Sequence, residues 1–165
     1  MHRICLVVLL AVSGAVAAHK EALDHSGPVR IGHDFSGLAD KAVWEPNSYA
    51  DGQAVPACEI YEGGLLSDGI SMMVEDGHVT RFQVYDAGRI GPFGLLVGDS
   101  EESAMTKVPR GTTIELHHYA GEHGHYLTWR DPGSDLAIRV ETIDGTVEGF
   151  YWGRWESVQY VEGCL

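Results

Sequence analysis

Two segments of the chain constrain its fold more than any other feature. "GISMMVEDGHVTRFQVY" (Gly69 to Tyr85) and "LAIRVETIDGTVEGFYW" (Leu136 to Trp152) each read as an apolar strand, an Asp-Gly pair and a second strand. Asp-Gly between two such runs is a strong hairpin signal. The tight turn needs positive φ, which Gly tolerates and Asp enters more readily than most residues. Met72, Val74 and Val79 supply apolar contacts in the first hairpin, and Ile138, Val140, Val147 and Phe150 in the second.

A second pair of segments shares nearly the same offset. "VRIGHDFSGLADKAV" (Val29 to Val43) and "LLVGDSEESAMTKV" (Leu95 to Val108) each run from an apolar strand end through a glycine into a stretch with helical character. Gly32 and Gly98 are 66 residues apart, and Asp76 and Asp144 are 68 apart. Two landmarks at one period predict an internal repeat. Asp99 with Glu102 resembles a capping box, Glu101 and Glu102 suit the positive end of a helix, and Pro109-Arg110-Gly111 should end it. In the first half, Asp34 or Ser36 could open a helix through "GLADKAVW", stopped by Pro46 and Asn47. The expected fold is α+β, with two tandem units of short helix plus antiparallel β-meander at residues 27–86 and 87–165. Residues 18–26, "AHKEALDHS", show no packing pattern and are expected to form a flexible N-terminus.

A glycine, a short helix and a meander whose last hairpin carries "DG-V" resemble the repeating unit of the β-lactamase-inhibitor-protein superfamily. The same unit is found singly in small bacterial outer-membrane assembly lipoproteins. The likeness spans most of residues 27–155 on short, degenerate motifs. It implies tandem helix-plus-sheet modules and a binding rather than a catalytic role, and no binding residue is carried over. As a whole the chain is also similar to exported bacterial proteins of unassigned function.

The start, "MHRICLVVLLAVSGAVAAHK", has the layout of a secretory signal peptide: Arg3, an apolar run from Ile4 to Val12, then Ala15-Val16-Ala17. The apolar run is too short to span a bilayer. Cleavage after Ala17, or alternatively after Ala18, predicts a periplasmic or secreted protein without membrane insertion. Loss of residues 1–17 removes one charged side chain, Arg3, from 11 basic and 24 acidic residues, so the formal net charge moves from -13 to -14. Nucleic acid and anionic membranes are disfavoured as partners. Export also brings Cys58 and Cys164 into a compartment where thiols pair. A Cys58–Cys164 disulfide closes a loop of 106 residues, for which chain entropy gives about 4 to 5 kcal/mol. Without a C-x-x-C, its expected role is to tie down the C-terminal segment.

"LHHYAGEHGHYLTW" (Leu116 to Trp129) places four of nine histidines within nine positions. It reads as strand, turn and strand, with the turn at Ala120 to Gly124. Alternation puts His118 on the face of Ile114 and Leu116, and His125 on that of Leu127 and Trp129. A bulge at Gly121 or Gly124 would set His118 opposite His125, making a clamp with Glu122 or His123 as third ligand. Imidazole pairs suit zinc or copper. The alternative expectation is a solvent-facing hairpin whose histidines have no joint role beyond pH-dependent charge.

Other constellations carry less. Gly98-Asp99-Ser100 has the look of one lipase block but lacks an Asp-x-x-His partner, so no catalytic residue is assigned. Glu101, Glu102, Glu141 and Glu148 give no identifiable glycosidase pair. Arg81, Arg130, Arg139 and Arg154 read as solvated cross-strand partners. Trp152 and Trp155, in "GFYWGRWESVQY", are candidates for exposed aromatics at a binding face. Together these features predict an exported, monomeric, non-catalytic binding protein with an unidentified protein partner, inhibitor-like in form, with no resident cofactor. Metal binding through the hairpin histidines is the second reading and a secreted hydrolase the third.

Overall fold

The computed structural model describes residues 22–46 and 57–164. The expected signal peptide, residues 1–17, lies outside them, as do residues 18–21 and Asn47. The described residues are predominantly β, 47% strand and 15% helix. A short hairpin, β1 (His25–Ser26) and β2 (Val29–Arg30), precedes helix α1 (Phe35–Ala39). The strands β3 (Trp44–Pro46), β4 (Cys58–Gly63), β5 (Ile70–Glu75) and β6 (His78–Val84) follow. After helix α2 (Glu101–Lys107) come β7 (Thr113–His117), β8 (Gly121–Arg130), β9 (Leu136–Ile143) and β10 (Thr146–Arg154). A 3-10 turn, Ser157–Gln159, leads to Cys164.

This corrects the expected α+β arrangement of two tandem helix-plus-meander units. All eight longer strands join one antiparallel sheet in the order β3-β4-β5-β6-β10-β9-β8-β7. The two halves merge along a seam in which Phe150 pairs with Val84 and Gly153 with Arg81. The helices are too short to define modules. α1 does not run through "GLADKAVW": it stops at Ala39, and the Trp44 indole turns back to donate to the Leu38 carbonyl at 3.0 Å. Residues 44–46 are thereby free to join the sheet as β3.

What does recur is a junction. Phe35 N–H donates to Gly77 O and Glu101 N–H to Gly145 O, each at 2.8 Å. Gly32 N–H to Val79 O and Gly98 N–H to Val147 O repeat the pattern, as do Val79 N–H to His33 O and Val147 N–H to Asp99 O. Each helix start is thus bolted to an Asp-Gly turn. Both turns have the expected positive φ, at 48° for Asp76 and Asp144 and at 77° and 75° for the glycines that follow. The caps are Asp34 for α1 and Ser100, not Asp99, for α2. Asp99 instead accepts from Leu96 N–H and from Lys107 Nζ.

One face of the sheet carries the main core: Met72, Phe82, Leu127, Ile138, Val140, Phe150 and Trp152 are buried there, with Leu38 of α1 and Ala104 of α2 packed over them. Residues 22–26, expected to be flexible, are part of this packing. Leu23 is fully buried and Trp152 Nε1 donates to the His25 carbonyl at 3.2 Å. Isolated in sequence, Leu23 shows no periodicity; the sheet supplies its partners. The second face is crossed by the C-terminal segment, so most of β9 is buried on both sides. No helix among the described residues is long and apolar enough to cross a membrane.

Candidate functional site

The histidine hairpin folds differently from its expected register. Leu116 pairs with His125 and His117 with Gly121, so the irregularity falls between Leu116 and His117. Gly124 makes this possible: a Cβ there would lie 2.6 Å from Thr142 O and 2.9 Å from His117 Cβ. His118 falls in the turn and does not face His125. It lines a cavity of about 470 Å³ beside Tyr119, Tyr160, Glu162 and the disulfide. His123 and His125 line a different one, of about 400 Å³, with Glu101, Glu102, Glu122 and Asp144.

In that second cavity, His125 Nδ1 sits 2.9 Å from Glu101 Oε2, which also accepts from Thr142 Oγ1 at 2.5 Å. Burial pushes the Glu101 carboxyl up, but these two partners outweigh it and hold it below the usual value. His123 Nδ1 lies 3.4 Å from Asp144 Oδ1. Both rings are engaged with carboxylates on neighbouring elements. The structure therefore does not assemble the His118, His125 and His123 set. Among the described residues, no three His, Cys, Asp or Glu side chains are grouped to hold a metal ion.

The tryptophans are also placed otherwise than expected. Trp152 is 2% exposed and belongs to the main core, its ring 5.5 Å from Phe82. Alternation along β10 points it inward. Trp155 is half-buried, packed against Ala137, Tyr151 and Val158 with the Arg130 guanidinium 4.9 Å from its ring. Cys58 and Cys164 do form the expected disulfide, of the kind oxidising compartments permit.

The densest chemistry lies on the second face of the sheet. Tyr126 pairs with Glu141, Glu141 with Gly149, Arg139 with Tyr151 and Tyr151 with Gln83 across neighbouring strands. Arg81 and Arg139, expected to be solvated, are both buried. Arg81 stacks 4.6 Å from the Tyr151 ring and Arg139 4.9 Å from that of Tyr126. Their nitrogens reach the C-terminal segment: Arg81 Nη1 donates to Ser157 O at 3.1 Å and Tyr160 O at 2.9 Å. Arg139 Nη2 donates to Gln159 Oε1 at 2.9 Å and Glu115 Oε2 at 3.2 Å. Buried charges need such partners.

Glu141 is the buried carboxyl group among them. Burial pushes its carboxyl above the ordinary value, against the opposing effects of the Tyr151 hydroxyl, His117, Arg81 and Tyr85. Tyr151 Oη donates to Glu141 Oε1 at 3.2 Å. Burial, with Glu141 next in size, pushes both the Tyr85 and Tyr151 hydroxyls up, so both stay protonated donors. His117 stacks on Tyr126 at 4.6 Å. Tyr126 Oη faces the His118 amide without reaching bonding geometry, and it and Arg81 Nε find no partner among the described residues.

Around this base stand three accessible tyrosines. Tyr85 is 47% exposed, its hydroxyl turned inward to Glu141. Tyr119 is 64% exposed and bonds Glu162, and Tyr160 is 41% exposed. Sequence reasoning missed this group because alternating polar positions on a strand read as a solvent face. Its one available sign was the second cysteine at Cys164, which had to return the C-terminal segment to β4.

Comparison with protein-family profiles, with curated proteins and with solved structures finds no match.

Proposed function

We propose that this chain is an exported, non-catalytic binding protein of the cell envelope or exterior, which engages a protein partner through the second face of its sheet. The observation that carries the reading is the exposure of Tyr85, Tyr119 and Tyr160 on the side of the sheet that holds the buried Arg81–Tyr151–Glu141–Arg139 network. Tyrosine gives large contact area at low entropic cost and is enriched at interfaces. A base fixed by buried hydrogen bonds reduces what must be ordered on binding. The disulfide supports export, and periplasm and exterior both fit it. An inhibitor-like role is one form of this reading.

The non-catalytic part draws support from where the candidate nucleophile block is engaged. The Ser100 hydroxyl accepts from Ser103 N–H as the cap of α2, and Asp99 is held by Lys107. To test the reading, a partner captured from envelope extract should bind the purified protein in isolation. Tyr85→Ala and Tyr119→Ala should each weaken that complex by about tenfold or more, as central interface tyrosines do. Unchanged affinity in both variants, or turnover of simple ester or glycoside substrates, would overturn it.

A further inference from the structure

The cavity beside the disulfide, of about 470 Å³, is within the size range of small-ligand sites, and its lining is of three kinds. Val161 and the Cys58–Cys164 bridge give it apolar surface. Tyr119 and Tyr160 add two exposed aromatic rings. Glu75, at the end of β5, and Glu162 supply carboxylates. Both carboxylates are held by hydroxyl groups. Thr80 Oγ1 and Ser157 Oγ each donate to Glu75 Oε2 at 2.6 Å. The Tyr160 hydroxyl, pushed up first by the Glu75 charge and then by burial, donates to the same carboxylate. The Tyr119 hydroxyl donates to Glu162. None of these donors is charged. Among the described residues, no Lys, Arg or His nitrogen lies within salt-bridge distance of either carboxylate. Arg81, beneath the same segment, is committed to Gln83 and to the carbonyls of Ser157 and Tyr160.

The lining itself selects the ligand. An anion would meet two carboxylates, and a wholly apolar molecule would desolvate them without a compensating partner. A bare metal ion would need a grouped set of ligands, and among the described residues no three ligating side chains form one. An ammonium group on an alkyl chain matches every part of the cavity. Its charge answers Glu75 and Glu162, the tyrosine rings attract it electrostatically, and its methylenes lie against Val161 and the bridge. The hydroxyl bonds fix rings and carboxylates beforehand, so little has to be ordered when the cation enters. We infer that this cavity is a binding site for an alkylammonium cation. In the complex proposed above, the cation is a lysine side chain of the partner, and that assignment rests on the reading given there. The site itself does not, because a free quaternary amine offers the same chemistry.

The probes are Nα-acetyl-lysine amide and tetramethylammonium chloride, with Nα-acetyl-norleucine amide as the uncharged control, added to the full chain with its disulfide intact. Amide resonances of residues 118–119 and 160–163 should shift with either cation at millimolar concentration, and the affinity should fall with rising salt. The norleucine compound should bind at least about tenfold more weakly than its lysine counterpart. Glu162→Gln keeps an acceptor for Tyr119 but removes the charge, and should weaken cation binding by about fivefold or more. Tyr119→Phe should retain more affinity than Tyr119→Leu, which loses the ring. Both positions are exposed, so circular dichroism should report an unchanged fold. Tighter binding of the lysine compound supports a partner's side chain as the source, and tighter binding of tetramethylammonium supports a free quaternary amine. Equal binding of the norleucine compound, or no shift at those residues with either cation, would overturn the inference. A captured partner that depends on Tyr85 but is indifferent to Glu162→Gln and to both cations would do so too, while leaving the reading of the tyrosine face intact.

Discussion

The Arg81 guanidinium lies 4.6 Å from the centre of the Tyr151 ring, buried between the sheet and the C-terminal segment. It serves two backbone carbonyls, Ser157 O and Tyr160 O, as well as Gln83 Oε1. Arg81→Ala should therefore cost about 3 to 5 kcal/mol, the range for breaking a buried charged network. Arg81→Lys should recover part of this, because a single ammonium cannot reproduce the fork. Urea unfolding midpoints would check both.

The Cys58–Cys164 bond ties the same segment down from its far end. Cys164→Ser should lower stability by about 2 to 5 kcal/mol, as loss of a native disulfide does in small exported domains. Limited proteolysis should then cut between residues 155 and 164 before it cuts the sheet. Cleavage first within β5–β10 would contradict this.

Glu141 should impose a pH dependence of definite sign. Its folded pKa is raised above the ordinary 4.5, so its contribution is fully present below about 4.5 and is lost as pH rises through the folded value. The wild-type unfolding midpoint should accordingly lose stability from this group on going from mildly acidic to neutral pH. Glu141→Gln can still accept from Tyr151 but carries no charge. The variant should show a flatter profile and at least wild-type stability at pH 7.5, as chemical denaturation from pH 5 to 8 would show.

Gly149 is required by the tyrosine above it. A Cβ there would sit 2.3 Å from Tyr85 Cδ1 and 3.0 Å from Val84 O. Gly149→Ala should cost about 1 to 3 kcal/mol by overpacking. Combined with Tyr85→Ala, the cost should shrink, giving a coupling energy of about 0.5 kcal/mol or more in a double-mutant cycle. Strict additivity of the two changes would show that the ring does not set the constraint.

How much of this was legible in the sequence depended on whether the cause was local. The Asp-Gly turns were readable at Asp76 and Asp144 because φ preference resides in the dipeptide itself. The disulfide was readable because the expected loss of residues 1–17 leaves two cysteines and so one pairing. The fusion of both halves into one sheet was not, since the pairing of Phe150 with Val84 depends on edges meeting across 66 residues. Trp152 was misplaced because both faces of β10 are covered, one by the main core and one by the C-terminal segment, so neither parity leaves an aromatic exposed, and His118 because a bulge stabilised by Gly124 shifts the hairpin register. Arg81 and Arg139 were hidden for a further reason: what buries them is a segment more than 75 residues beyond Arg81 in the chain, at Ser157 and Tyr160.

The seam between β6 and β10 also sets an order of events. The hairpins β5–β6 and β9–β10 each turn on two residues, and the pairs Glu75 with His78 and Ile143 with Thr146 close over minimal loops. Such closures take microseconds, whereas contacts between distant parts of a chain bring slow folding. The seam joins residues from Val84 with Phe150 to Arg81 with Gly153. Docking of the two hairpins along that line is therefore expected to be slower than the closure of either one. Until it is complete, each half presents an unpaired strand edge to the other half, and equally to any neighbouring chain.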